Sequence, residues 1–325
     1  MHTLPGDELP DELAGAVADP LLATTLGRLR LRNPIILASG FLGETGQSLV
    51  RCFAHGCGGV VTKSIGTLPR LGHANPTVVE VDGGLLNAIG LANPGMEHYR
   101  SELAAVRDAQ VPGPIIGSIF GADPQEFSQL AKGMAAAGAD ALELNLSCPH
   151  VKGVGTEVGS DPRLVEQITA ATTAAVSIPV FVKLSPNIAD ILPIAAAAVD
   201  GGAAGLTAIN TVRGMAIDVR LRRPILSHGQ GGLSGPAIRP VGVAAVFRIA
   251  SHLQVPIMGV GGISCGADAL EYLMAGAHAV QVGTALMDRG PLAFAHIATE
   301  LRDFLRVEGF GKVSEVIGLA QGERP

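Results

Sequence analysis

Residues 256–286 read PIMGVGGISCGADALEYLMAGAHAVQVGTAL. Two short apolar runs, PIMGVGGI (256–263) and AVQVGTAL (279–286), flank a stretch with helical spacing, and glycines cluster toward the end of each run. Strand, helix, strand is the unit of a parallel sheet, because a parallel return needs a crossover connection. Gly259, Gly261 and Gly262 would let backbone N–H groups approach an anion. Ser264 is placed to cap the helix that follows, whose start adds a positive dipole end. One glycine cluster could simply make a turn. Two, at consecutive strand ends, point to a phosphorylated cofactor rather than a dinucleotide on an open sheet.

The same alternation extends back through the chain. Strands are predicted at 33–40 (NPIILASG), 58–65 (GGVVTKSI), 114–121 (PIIGSIFG), 141–148 (ALELNLSC), 179–186 (PVFVKLSP) and 205–211 (GLTAINT), ahead of the two already quoted. Ala-rich helical stretches at 125–138, 162–176 and 188–200 lie between them. Eight such units with no linker-like segment predict an α/β fold of the (β/α)8 TIM-barrel type, with a doubly wound open sheet as the alternative. The glycine clusters then fall after strands seven and eight, the usual phosphate grip of a barrel. Long interruptions at 66–98 and 212–236 follow strand ends on the C-terminal face, where barrels carry their sites. ATTLGRLRLRNP, before the first strand, reads as an N-terminal hairpin closing the opposite end, with Arg28, Arg30 and Arg32 on its exposed face.

Composition narrows the class. The 325 residues are 47% hydrophobic and 16% charged, with no Trp and a net charge of −6. An acidic chain without a basic run is a poor nucleic-acid binder. Four cysteines are too few for a disulfide framework, and Cys52 and Cys57 read as small buried residues rather than metal ligands; no metal site is expected. Residues 1–20 are acidic and read as a flexible arm, with 21–325 a single domain. That arm lacks the basic start and apolar run of a signal peptide, and no uninterrupted apolar segment suits a membrane span. A cytoplasmic, soluble protein is expected.

Polarity inside the apolar strands carries the functional signal. Lys63 shares a strand face with Val61, and Lys183 with Phe181; Asn145 and Asn210 lie near the ends of their strands. Buried lysines are costly unless an anion or strong acceptor pairs with them. One such lysine could reach solvent or a carboxylate. Two lysines and two asparagines at the same barrel end point to a shared polar ligand. Cys148, at the mouth of strand four, fits either a small buried residue or a base; an ordinary thiol pKa of about 8.5 suits proton abstraction once the thiolate is favoured.

Together, VTKSIG, LLNAIGLANPG, LNLSCP, VKLSPN, INT, GGLSGPAIRP, GVGGI and VGTA resemble the dihydroorotate dehydrogenase family, in particular its soluble class 1B, over about residues 24–300. GVGGI and VGTA are common to many FMN barrels, whereas LNAIGLANPG with SCP and GGLSGPAI is far more specific. The resemblance implies oxidation of dihydroorotate to orotate in pyrimidine synthesis, with hydride transfer to FMN. It implies that Cys148 is the base and that Lys63 lies between flavin and substrate. It further implies that Asn87, Asn145 and Asn210 grip the pyrimidine ring, that the backbone of Ile89, Gly90 and Leu91 holds the carboxylate, and that Ala88 and Thr211 complete the substrate site. For FMN it implies Ser39, Lys63, Ser64, Asn145, Lys183 and Ile209, with Gly235, Gly261, Gly262, Gly283 and Thr284 toward the phosphate. A cation at Lys183 would stabilise a reduced, anionic flavin.

Two positions depart from the family pattern. His150 stands in SCPH where SCPN is frequent, bringing an imidazole to the substrate or turning away from it. Ser118 replaces an asparagine common beside the flavin. SCPH also resembles the FMN barrel of dihydropyrimidine dehydrogenases, the alternative reading, but LLNAIGLANPG supplies donors for a carboxylate that uracil lacks. The chain has neither an iron–sulfur cysteine cluster nor a second nucleotide-binding domain. The resemblance therefore implies a homodimer working with a partner that carries FAD and an iron–sulfur centre and reduces NAD, with fumarate as another acceptor.

Overall fold

The computed structural model describes residues 9–146 and 158–322. In chain order the strands are β1 (Thr24–Leu26), β2 (Leu29–Leu31), β3 (Ile35–Leu37), β4 (Gly59–Val61), β5 (Val78–Val81), β6 (Gly84–Asn87), β7 (Ile115–Ile119) and β8 (Ala141–Asn145). They continue with β9 (Val180–Leu184), β10 (Gly205–Ala208), β11 (Val212–Gly214), β12 (Ile217–Asp218), β13 (Arg223–Pro224), β14 (Gly231–Ser234), β15 (Ile257–Val260) and β16 (Ala279–Val282). Eight of them close a barrel in the order β10-β15-β16-β3-β4-β7-β8-β9, and each neighbouring pair is parallel. These are the eight strands read from the sequence, each shorter than its apolar run.

The helices are α1 (Asp11–Val17), α2 (Gly46–Ala54), α3 (Met96–Asp108), α4 (Pro124–Ala136), α5 (Pro162–Ala175), α6 (Leu192–Asp200), α7 (Arg239–His252), α8 (Gly266–Ala275), α9 (Ala285–Arg289) and α10 (Ala293–Val307). Local signals explain several starts. Asp123 accepts from the Glu126 N–H at 2.9 Å and Pro124 begins α4; Asp161 accepts from the Arg163 N–H at 2.9 Å and Pro162 begins α5.

Strand alternation gives the barrel two different surfaces. Ile35, Leu37, Val60, Leu142, Leu144, Val180 and Val282 belong to the large cluster shared with the helices. Inside, Ile36, Val61, Ile116, Ala141, Phe181, Met258 and Ala279 form an apolar lower layer with Leu26, Leu29 and Leu31. The β1–β2 hairpin therefore closes the bottom, as its sequence predicted. Gly205 completes this layer by having no side chain, because a Cβ there would overlap the Phe181 ring. Two residues further along the strands come Ser118, Glu143, Lys183, Thr207 and Gln281, all buried. Polarity begins one layer above the floor.

The two long interruptions meet. β5 and β6 come from the first, β11 and β14 from the second, and they form one antiparallel sheet in the order β11-β14-β6-β5 over the C-terminal face. Leu86, Ala88 and Leu226 make its small core.

Two expectations need correction. The arm expected over residues 1–20 is built into the fold from residue 11: α1 buries Ala16 and Val17, Asp19 pairs with Arg306 at 2.5 Å, and Leu22, just beyond, is in the main core. Apolar residues at 16, 17 and 22 found a place on the barrel that the acidic residues around them obscured. Arg32 does not continue the exposed face of Arg28 and Arg30. Its guanidinium turns inward and donates to the Phe53 carbonyl at 2.7 Å and the Cys57 carbonyl at 2.9 Å.

Candidate active site

A cleft open to solvent lies at the C-terminal ends of the barrel strands. Of the residues expected around a flavin, Ser39, Lys183, Ile209 and Gly235 line it, together with Gly261, Gly262, Gly283 and Thr284. Asn210 and Thr211, expected at the substrate, line it as well. Its glycine end is a cradle in which side chains are excluded. A Cβ on Gly283 would stand 3.0 Å from the Phe41 ring, and Gly235, Gly261 and Gly262 have φ of +102°, +129° and +69°. The Ala208–Ile209 peptide bond beside it is cis.

Lys63, Ser64, Asn145 and the 87–91 segment do not line this cleft, but Ser64 and Asn145 are hydrogen-bonded to residues that do. Ser64 Oγ lies 3.2 Å from Ser39 Oγ and accepts from Asn145 Nδ2 at 3.1 Å. Asn145 Oδ1 in turn accepts from Asn210 Nδ2 at 3.4 Å, and Asn210 Oδ1 accepts from the Thr211 N–H at 2.8 Å. One polar chain thus runs from the first strand of the barrel around to the sixth. Ser118, fully buried, joins it through Ser64 at 2.8 Å and stands behind the wall rather than in it.

Asn87 and its neighbours come from the capping sheet. Asn87 Nδ2 donates to the Gly232 carbonyl at 3.2 Å, across the β6–β14 pair. Gly90 and Leu91 both have left-handed φ, +76° and +57°, and neither N–H donates a hydrogen bond among the described residues. His73 N–H donates to Ile89 O at 3.1 Å and Asn93 Nδ2 to Leu91 O at 2.9 Å, so the carbonyls are engaged while those N–H groups stay open. Consecutive open donors suit an anion.

Lys63 follows β4 and its backbone N–H donates to Gly43 O at 2.9 Å. Burial lowers its ammonium below the usual lysine range, opposed by the carboxylate of Glu44. Lys183 Nζ lies 3.6 Å from Glu143 Oε1, a pair enclosed by the barrel.

The helix after β15 is capped differently from the sequence reading. Ser264 is not the cap. Cys265 is, and Asp268 reaches back to accept from Ser264 N–H at 2.9 Å, Ser264 Oγ at 2.8 Å and Cys265 N–H at 3.2 Å. Glu300 accepts from Gly266 N–H at 2.5 Å. Two carboxylates already occupy the positive start of α8, so an anion in the cleft would depend on the loop glycines instead.

Over residues 21–305 the sequence matches the dihydroorotate dehydrogenase family. The chain belongs to that family. It is 49% identical over 302 residues to "Dihydroorotate dehydrogenase B (NAD(+)), catalytic subunit" of Methanocaldococcus jannaschii, covering 92% of this chain and 98% of that one. To the protein of the same description from Methanocella arvoryzae it is 50% identical over 295 residues, covering 90% and 96%. A solved structure described as "Crystal structure of DHODH in complex with ferulenol from Eimeria tenella" superposes with a TM-score of 0.82 at 24% identity, over 96% of this chain and 94% of that one; it speaks to the fold.

Within this dihydroorotate dehydrogenase barrel, three features escaped the sequence reading. Glu143 and Gln281 are inward-facing by strand alternation in ALELN and AVQV, a signal available once Ala141 and Ala279 are placed inside. Ser234 lines the cleft and accepts from Thr284 Oγ1 at 2.9 Å. Asn187 of VKLSPN donates to Thr211 O at 3.1 Å and so steadies a substrate-site candidate. Cys148 and His150 lie outside the described residues. No helix among the described residues is long and apolar enough to cross a membrane.

Proposed function

We propose that the chain is the catalytic subunit of an NAD-linked dihydroorotate dehydrogenase, oxidising (S)-dihydroorotate to orotate beside a bound FMN in UMP synthesis. The observation that carries this reading is the continuity of the polar chain Ser39–Ser64–Asn145–Asn210, which joins the glycine-ended cleft to the amides proposed for the pyrimidine ring. A flat flavin suits the cleft. Glycines at one end leave backbone room for a phosphate, and Lys183 offers a cation on the wall.

Converting dihydroorotate to orotate makes a ring C=C bond and releases two hydrogens with one electron pair. FMN, when bound, supplies the acceptor for that pair and one hydrogen. The other hydrogen leaves as a proton, and Cys148 is the proposed base. Asn87, Asn145 and Asn210 would orient the ring through its amide edges. The open N–H groups of Gly90 and Leu91, with Ile89, would receive the carboxylate. The capping sheet would hold water off the ring. His150 adds a candidate donor at the substrate.

The relatives' designation as catalytic subunits supports a partner that carries electrons onward to NAD; FAD with an iron–sulfur centre is the proposed carrier, and a homodimer of this chain the proposed core. A cytoplasmic setting is proposed.

Anaerobic titration of the purified protein with dihydroorotate, followed by flavin absorbance, tests the reading. Bleaching by dihydroorotate supports it. A flavin that stays oxidised with dihydroorotate, but is reoxidised by uracil once chemically reduced, overturns it.

A further inference from the structure

The barrel contains one acid that the proposed reaction does not use. Glu143 on β8 is fully buried. Its Oε2 accepts from Thr207 Oγ1 of β10 at 2.9 Å and from Gln281 Nε2 of β16 at 2.6 Å. Its Oε1 has no hydrogen-bond partner among the described residues and faces Lys183 Nζ at 3.6 Å. Lys183, on the adjacent strand β9, lines the cleft. The layer beneath shows that this barrel closes on apolar side chains, and a buried carboxylate adds a desolvation cost that packing alone does not require.

We propose that Glu143 is a positioning residue that holds Lys183 Nζ against the inner wall of the cleft, offsets part of its charge there, and so sets the reduction potential of the FMN. The inference rests on the FMN reading above. Its argument is geometric. Two strands other than its own pin one carboxylate oxygen, so the acid cannot follow the lysine; the lysine must come to it. The 3.6 Å separation is longer than a good N–H···O bond, so the ammonium is tethered while its donors remain open to the cleft. Seen from the cleft, the cation is backed by an anion that weakens its field. The other charged residue lining the cleft is Asp288, and Lys63 follows β4 outside that lining. The remaining inward positions of this layer, Ala38, Ser118, Thr207, Val260 and Gln281, carry no charge.

The test compares holoenzymes by dye-equilibrated reduction potential, FMN affinity and melting temperature. Glu143→Gln keeps the size of the side chain but removes the negative charge, so the FMN potential should shift to a less negative value with the flavin still bound. Glu143→Leu removes the tether, and FMN should bind about tenfold more weakly, the scale of the one charge-assisted hydrogen bond that an untethered Lys183 would no longer hold ready for the flavin. Glu143→Asp should return the potential toward wild type. Should Glu143→Gln fail to fold, Thr207→Val carries the test. It strips a donor from the carboxylate, strengthening its pull on Lys183, and should shift the potential the opposite way. A lowered melting temperature with an unchanged potential would make Glu143 a structural residue only and overturn the proposal, as would a shift of the wrong sign. A wild-type protein that takes up no FMN removes the functional reading and this inference together; wild type with FMN and no shift in the variants removes this inference alone.

Discussion

A Cβ built on Gly262 would stand 2.7 Å from the carbonyl oxygen of Gly235, so the loop after β15 and the end of the capping sheet touch backbone to backbone. Gly235 is equally constrained on its other side, where a Cβ would stand 2.7 Å from Gly84 Cα. Three segments far apart in sequence thus meet without side chains at the glycine end of the cleft. Gly262→Ala would introduce a methyl group at φ +69° and force that junction apart. The expected result is FMN affinity reduced about tenfold or more with the barrel still folded, read by fluorescence titration of the apoprotein. Wild-type affinity would show that the junction is not needed for the flavin.

Lys183 and Glu143 make a second prediction that needs no cofactor. Lys183→Met keeps much of the side-chain volume but leaves a fully buried carboxylate without its counter-ion. Removing one member of a buried pair costs about 3–5 kcal/mol, whereas removing both can be nearly neutral. Denaturant unfolding of the apoprotein should therefore show a large loss for Lys183→Met and recovery of much of it in the double variant Lys183→Met, Glu143→Gln. Additive losses would mean that the two residues do not act as a pair.

Cys148→Ala tests the proposed base. The variant should bind FMN as wild type does, while dihydroorotate reduces that flavin at least about 100-fold more slowly near neutral pH, the usual scale of a lost general base. Cys148→Ser should recover rate as pH rises, because a hydroxyl gives up its proton less readily than a thiol. Wild-type bleaching in the alanine variant would move the role to another residue.

Legibility in the sequence followed distance along the chain. The eight strands could be read because each is a local apolar run, and part of the glycine cradle because Gly259, Gly261 and Gly262 lie within a few residues of one another. The capping sheet could not. Its two halves were visible as interruptions, but the contact between Asn87 and Gly232 spans 145 positions and has no local signature. Lys183 was conspicuous as a cation among apolar neighbours. Its counter-charge was hidden, because Glu143 reads as one polar residue in ALELN until the β8–β9 register, with Asn145 beside Lys183, brings the two strands together. The helix cap after β15 was misplaced by one residue because Asp268, not Ser264, supplies the acceptor.

His278, immediately before β16, provides a test at the opposite end of the barrel. Its Nδ1 accepts the Ile257 N–H at 3.4 Å, while its own N–H donates to Ile257 O at 2.8 Å. Burial lowers the imidazole below the usual histidine range, with the Gly276 backbone opposing that shift. Protonation would also remove the acceptor that Ile257 uses. Below the unfolded value of about 6.5, the unfolded chain takes up this proton more readily than the folded one. The stability held by neutral His278 is therefore complete above that pH, and is lost as pH falls from about 6.5 to the lowered folded value. His278→Gln has no proton to gain, so its unfolding free energy should fall less steeply than wild type's over that window. Other groups titrate identically in both proteins, which makes the difference in slope the readout. Equal slopes would show that the burial of His278 does not couple to folding.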